Sequence, residues 1–131
     1  MTYEENAAVV RKGYEAFNAG DGPALAALLR EDVTFYQPGA SVVAGDYRGR
    51  DAVLGFFASL AEHSAGTFQA TIEELYASDR EAIVVHRATG RVDGRELVTR
   101  TAMVIGLDGG RVASFSVAQE DQEAFDAFFA A

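Results

Sequence analysis

Between Thr67 and Gln119 the sequence carries four strand patterns separated by three short turns, and this stretch dictates an antiparallel meander. The first strand, TFQATIEELY, alternates apolar Phe68, Ala70 and Ile72 with polar Thr67, Gln69, Thr71 and Glu73, the period of a half-buried strand. Ser78-Asp79-Arg80 turns the chain. The second strand, Ala82 to Val92, opens on Ile83, Val84 and Val85 and continues through His86, Arg87, Ala88 and Thr89. Asp93-Gly94 joins it to the third, a strong hairpin signal because both central residues tolerate positive φ. The third strand runs from Glu96 to Leu107, and Asp108-Gly109-Gly110 leads into the fourth, Arg111 to Val117.

The remaining segments supply the cover that such a sheet needs. Glu4 to Ala19 places Val10, Gly13, Tyr14 and Phe17 on one helical face, and Asn18-Ala19-Gly20 ends it. Pro23 suits the first position of a second helix, with Leu25, Leu28 and Leu29 as its buried stripe and its end near Asp32. Val33 to Gln37 forms a brief strand closed by Pro38-Gly39, and Ala40 to Gly49 is expected to be a loop whose Val42, Val43 and Tyr47 cover apolar surface. Arg50 to His63 is a third helix, Asp51 near its cap, with Val53, Phe56, Phe57 and Leu60 facing inward. At the C-terminus, EDQEAFDAFF forms a short helix: Glu120 and Asp121 suit its positive end, and Phe125, Phe128 and Phe129 share one face. The expected architecture is one α+β domain over residues 1–131, with helices on the concave face of a curved antiparallel sheet.

Composition narrows the function. At 131 residues and 49% hydrophobic the chain can bury a full core, while a net charge of −9 with scattered Arg and Lys argues against nucleic acid and anionic membranes as partners. There is no cysteine, so thiolate chemistry and zinc–sulfur sites are excluded. His63 and His86 lie on different elements without carboxylates at ligand spacing, so neither a metal nor any other cofactor is expected. MTYEENAAVV lacks the basic start and apolar core of a signal peptide, which makes the cytoplasm the expected location.

GYEAFNAGD, EDVTFYQPG, GDYRGRDAVLGFFASL, VVHRATGR and EDQEAFDAFF together resemble the SnoaL-like branch of the nuclear transport factor 2 superfamily along the whole chain. The resemblance implies a conical α+β barrel around a pocket, commonly a homodimer through the outer face of its sheet. It also brings ketosteroid isomerases, polyketide cyclases and dehydratases into consideration, so the fold alone decides no function. In a ketosteroid isomerase the base precedes a proline at the position Gln37 takes before Pro38, and a glutamine accepts no proton at neutral pH. Many relatives carry Trp and His where Phe35 and Tyr36 stand, and Trp where Ser116 stands.

Strand alternation, with the parity chosen by that resemblance, turns Val84, His86 and Ala88, then Thr99, Thr101 and Met103, then Phe115, Val117 and Gln119 into the cup. The opposite parity would bring in Arg87 and Arg100. The candidate catalytic residues are His86 as base, with Gln37 or Tyr14 as polarising donor. Candidate ligand contacts are Phe17, Phe35, Phe56 and Leu60 from the cover, and Thr101, Met103, Phe115 and Gln119 from the sheet. Three function classes stay open: a binder of a small apolar molecule, a cofactor-free isomerase, cyclase or dehydratase acting on a small carbonyl compound, and a dimeric interaction module. A homodimer is expected on Val85, Val98, Ala102 and Val104 of the outer face.

Overall fold

A computed structural model describes residues 2–130 of the chain. Its elements run α1 (Tyr3–Ala19), α2 (Gly22–Ala27), β1 (Leu29–Gln37), β2 (Gly45–Arg48), α3 (Arg50–His63), β3 (Gln69–Ala77), β4 (Glu81–Val92), β5 (Arg95–Asp108), β6 (Arg111–Gln119) and α4 (Gln122–Phe128). The six strands form one sheet in the order β2-β1-β6-β5-β4-β3, antiparallel except for the parallel β1–β6 pair. The sheet curls around the helices but does not close, because its edge strands β2 and β3 do not pair with each other.

The β4–β5 hairpin is the longest ladder, with partners from Glu81↔Gly106 to Val92↔Arg95. Asp93 and Gly94 connect it with φ of 48° and 77°, the positive pair of a tight hairpin turn. That turn fixes a register in which Ala82, Val84, His86 and Ala88 are buried on β4 and Leu97, Thr99, Thr101 and Met103 on β5. Arg87 and Arg100 lie opposite each other on the outer face. The inward parity is therefore the one that the family resemblance implies.

Two assignments differ from the sequence reading. The second helix stops at Ala27 instead of near Asp32, and Leu29 belongs to β1, where it pairs with Val112 and is almost wholly buried. Three leucines at helical spacing look the same on either element, and the long-range pairing with β6 decides between them. Gly45–Arg48, expected as loop, is a strand on the edge of β1. It is short and polar, as edge strands often are, so it carries little pattern. The third helix spans Arg50–His63 as expected, with Gly49 at its N-cap, no capping side chain, and Asp51 in its first turn.

Two bulges shift the alternation. Between Ile72 and Glu74 the β3–β4 register slips by the extra residue Glu73, which turns Leu75 inward and Tyr76 outward. Between Gly106 and Leu107 the β5–β6 register slips past Ala113, and Val112 is buried in consequence.

One cluster of buried side chains fills the space under the sheet, with Phe35, Phe56, Val84, Ile105 and Phe115 at its centre and Phe125, Phe128 and Phe129 of α4 at one end. Each such side chain stabilises the fold by about 1.5–3 kcal/mol through removal from water. Asp121 caps α4 by accepting from Ala124 N at 3.0 Å, and the Phe129 carbonyl accepts from Val42 N at 3.0 Å. Gly90 leaves room for the Phe128 ring: a Cβ there would lie 2.9 Å from Phe128 Cζ. Gly90→Ala is therefore expected to destabilise the fold by about 1–3 kcal/mol in urea unfolding; an unchanged midpoint would show that α4 does not depend on this contact.

Candidate functional site

Two asparagines fix α1 against the sheet. Asn6, wholly buried, donates from Nδ2 to the Ser78 carbonyl at 3.0 Å, and Asn18 both donates to Ala70 O at 2.7 Å and accepts from Ala70 N at 3.0 Å. The Asn18 amide stands in for a neighbouring strand on the edge of β3. Between these anchors Tyr14 is held over β4. Its Oη lies 2.6 Å from His86 Nδ1 and 3.8 Å from Met103 Sδ, and the two rings meet edge to face with centroids 5.3 Å apart.

This pair sits in the wall of a cavity of about 90 Å³ under the concave face of the sheet. Phe17, Phe35, Phe56, Phe57 and Phe115 supply much of its lining, and they touch one another: Phe35 stands 4.4 Å from Phe56 and 4.9 Å from Phe115, centroid to centroid. Phe17 and Phe57, both half-buried, meet edge to face at 5.6 Å and join α1 to α3 over the space. Such tilted and edge-on contacts suit the charge distribution of aromatic rings.

The polar groups are few. Gln37, at the end of β1, is buried and its Nε2 has no hydrogen-bond partner among the described residues. Thr101 Oγ1 donates to Gln119 Oε1 at 2.7 Å. Among the described residues no Asp, Glu, Lys or Arg lines the cavity. Burial lowers the His86 pKa from 6.5 to about 4, because charging the ring would cost hydration that no carboxylate replaces. Burial likewise raises the Tyr14 hydroxyl far above its ordinary value. Both groups are neutral at pH 7. Among the described residues no three His, Asp or Glu side chains gather in a geometry for a metal ion, and no helix is long and apolar enough to cross a membrane.

All three candidate catalytic residues, Tyr14, Gln37 and His86, line this one cavity. So do the candidate contacts Phe17, Phe35, Phe56 and Leu60 on one side, and Thr101, Met103, Phe115 and Gln119 on the other. Leu25, Leu28, Val112 and Phe125 also line it, although the sequence reading gave them no place in the site. Val112 was hidden by the bulge at Ala113. Leu25 and Phe125 carried the right helical spacing, but spacing names a buried face without saying what it covers. Ser116 is exposed on the outer face, so the missing tryptophan at that position leaves the cavity unchanged.

The buried histidine has a consequence for stability. The unfolded chain takes up a proton at His86 near pH 6.5, whereas the folded one resists it until about pH 4. The stabilisation is complete above pH 6.5 and is lost as pH falls towards 4, by a total of about 3 kcal/mol. His86→Asn is expected to flatten the acid limb of stability between these values in urea titrations; an identical slope would show that His86 does not titrate in this way.

Comparison with known proteins agrees with this architecture. The SnoaL-like domain family matches residues 10–115. An uncharacterised protein of Mycobacterium tuberculosis is 30% identical over 131 residues, covering 99% of this chain and 100% of that protein. The crystal structure of Bal32a, from a soil-derived mobile gene cassette, superposes with a TM-score of 0.93 at 35% identity, covering 97% of this chain and 98% of that one. A nuclear transport factor 2-like protein of Burkholderia xenovorans superposes with a TM-score of 0.84 at 25% identity, covering 98% of each chain. The family match over most of the sequence, together with the six-stranded curled sheet and its helical cover, makes this chain a member of the SnoaL-like branch of the nuclear transport factor 2 superfamily.

Proposed function

We propose that this protein binds a small apolar molecule in the cavity beneath its sheet. The observation that carries this reading is an aromatic-walled space of about 90 Å³ that borders the neutral Tyr14–His86 pair and has no charged side chain among the described residues in its lining. Scale sets the ligand's size. An apolar cavity of about 150 Å³ accommodates one benzene, so a space of about 90 Å³ takes a single ring only when the surrounding side chains move, and nothing much larger. Benzene is expected to raise the melting temperature, by linkage, with the logarithm of its concentration, and Ala70→Leu, which pushes carbon into the cavity, is expected to abolish the effect. A melting temperature indifferent to benzene would contradict the reading.

The Tyr14–His86 hydrogen bond favours a second reading, a cofactor-free isomerase, cyclase or dehydratase with His86, Gln37 and Tyr14 at its centre. The absence of any lining carboxylate weighs against it, as does the engagement of His86 Nδ1 by the Tyr14 hydroxyl, which occupies the lone pair that a base would use.

The outer face supports a homodimer. Tyr76, Ile83, Val104, Ser116 and Tyr36 form one cross-strand row over five strands, and Tyr76, Ile83, Val104 and Tyr36 are exposed, as is Val98 further along β5. Apolar surface of this extent on an ordered sheet is suited to an isologous contact. Light scattering at micromolar concentration is expected to give twice the chain mass, and Ile83→Glu to halve it with benzene binding retained; a monomeric parent protein would rule the dimer out.

A further inference from the structure

The directions of the hydrogen bonds around the cavity follow from what each group can donate. Tyr14 has one hydroxyl hydrogen and two acceptors within reach, His86 Nδ1 at 2.6 Å and Met103 Sδ at 3.8 Å. An unprotonated imidazole nitrogen is a good acceptor and a thioether a weak one, so the hydrogen goes to Nδ1. The reverse bond, from an Nδ1–H to the phenol oxygen, would leave that hydrogen to the distant sulfur. A neutral imidazole carries one proton, and with Nδ1 accepting it resides on Nε2. His86 thus offers an N–H donor, not a lone pair, at its second nitrogen, which has no partner among the described residues.

The same reasoning applies to Thr101 and Gln119. The Thr101 hydroxyl donates to Gln119 Oε1 at 2.7 Å, which occupies the amide oxygen and leaves the Nε2 hydrogens free. The Gln37 amide nitrogen, although partnerless, is covered by its neighbours and adds no accessible donor. Two neutral side chains with spare N–H donors, on β4 and β6, therefore line one apolar space. No cation lines it, and an unpaired anion in such surroundings is strongly disfavoured.

We infer that the cavity is a receptor for an uncharged hydrogen-bond acceptor of about one ring, such as a cyclic ketone, lactone or ether, with His86 as donor and Tyr14 as the positioning residue that fixes its tautomer. This inference rests on the proposed reading that the cavity takes a small molecule. It assigns His86 a role opposite to that of a general base.

The tautomer can be read without any ligand, from long-range proton–nitrogen correlation spectra of the nitrogen-15-labelled protein. A protonated Nε2 and a bare Nδ1 are expected at pH 7, relaxing to a mixture in Tyr14→Phe while the backbone amide spectrum stays that of the parent. A protonated Nδ1 in the parent protein overturns the inference. Binding is then compared for cyclohexanone, for methylenecyclohexane, in which CH2 replaces the oxygen, and for cyclohexanecarboxylate, by following the Met103 methyl and His86 Nε2 signals. His86→Phe is expected to weaken cyclohexanone about tenfold and methylenecyclohexane by less than about threefold. Equal losses for the two, or a carboxylate that binds more tightly than the ketone, would refute the donor role and leave the cavity reading intact. If none of the three moves either signal, the cavity reading is itself wrong and the inference falls with it.

Discussion

The register of the β4–β5 hairpin is the constraint on which the rest of this structure depends. Twelve cross-strand pairs follow from a single two-residue turn at Asp93-Gly94, and their parity decides what the interior is made of. Shifted by one residue, the hairpin would face Arg87, Arg100 and Ala102 inward in place of His86, Thr101 and Met103. The result would be two buried guanidinium groups without counterions in an apolar core, which is a cost of several kcal/mol each. In the observed register Arg100 instead lies outside, 2.8 Å from Glu73 Oε1, and the bulge at Glu73 brings Glu74 into its neighbourhood as well. Hydrophobic burial and charge solvation thus select the same pairing.

From that register comes an interior that is polar at a few points and charged at none. Tyr14 reaches His86 only because Asn6 and Asn18 hold α1 against the edge of the sheet on either side of it. The pair is kept neutral by burial, and it is surrounded by phenylalanine rings that come from α1, β1, α3 and β6. Chemistry in this space is consequently restricted to hydrogen bonding between neutral groups and to the shape of the apolar walls. The SnoaL-like fold provides the cup, and Tyr14, His86, Thr101 and Gln119 supply polar groups to its lining.

Much of this was legible in the amino-acid sequence because it depended on local periodicity. The meander, the third helix from Arg50 to His63 and the hairpin turn all follow from spacing within a dozen residues. What escaped depended on partners distant in the chain. Leu29 is a strand residue because Val112 is there to pair with it, and Gly45–Arg48 is a strand because β1 has a free edge. The bulges at Glu73 and Ala113 were likewise invisible to a strict period of two, although Ile72-Glu73-Glu74-Leu75 breaks that period and marks the place. For the site, alternation identified the inward side chains of β4 and β5. The hydrogen bond between Tyr14 and His86 spans 72 positions and needed the folded geometry.

The claim at the centre of this account is that the space beneath the sheet is real, apolar and reachable from solvent. A crystal of the unliganded protein held under xenon pressure tests it most directly, since xenon enters dry apolar cavities and binds by dispersion alone. Anomalous density for xenon among Phe35, Phe57, Phe115 and Met103 is the result expected here. Crystals that take up xenon only on the outer face of the sheet, or nowhere, would show that the cup is filled by its own side chains.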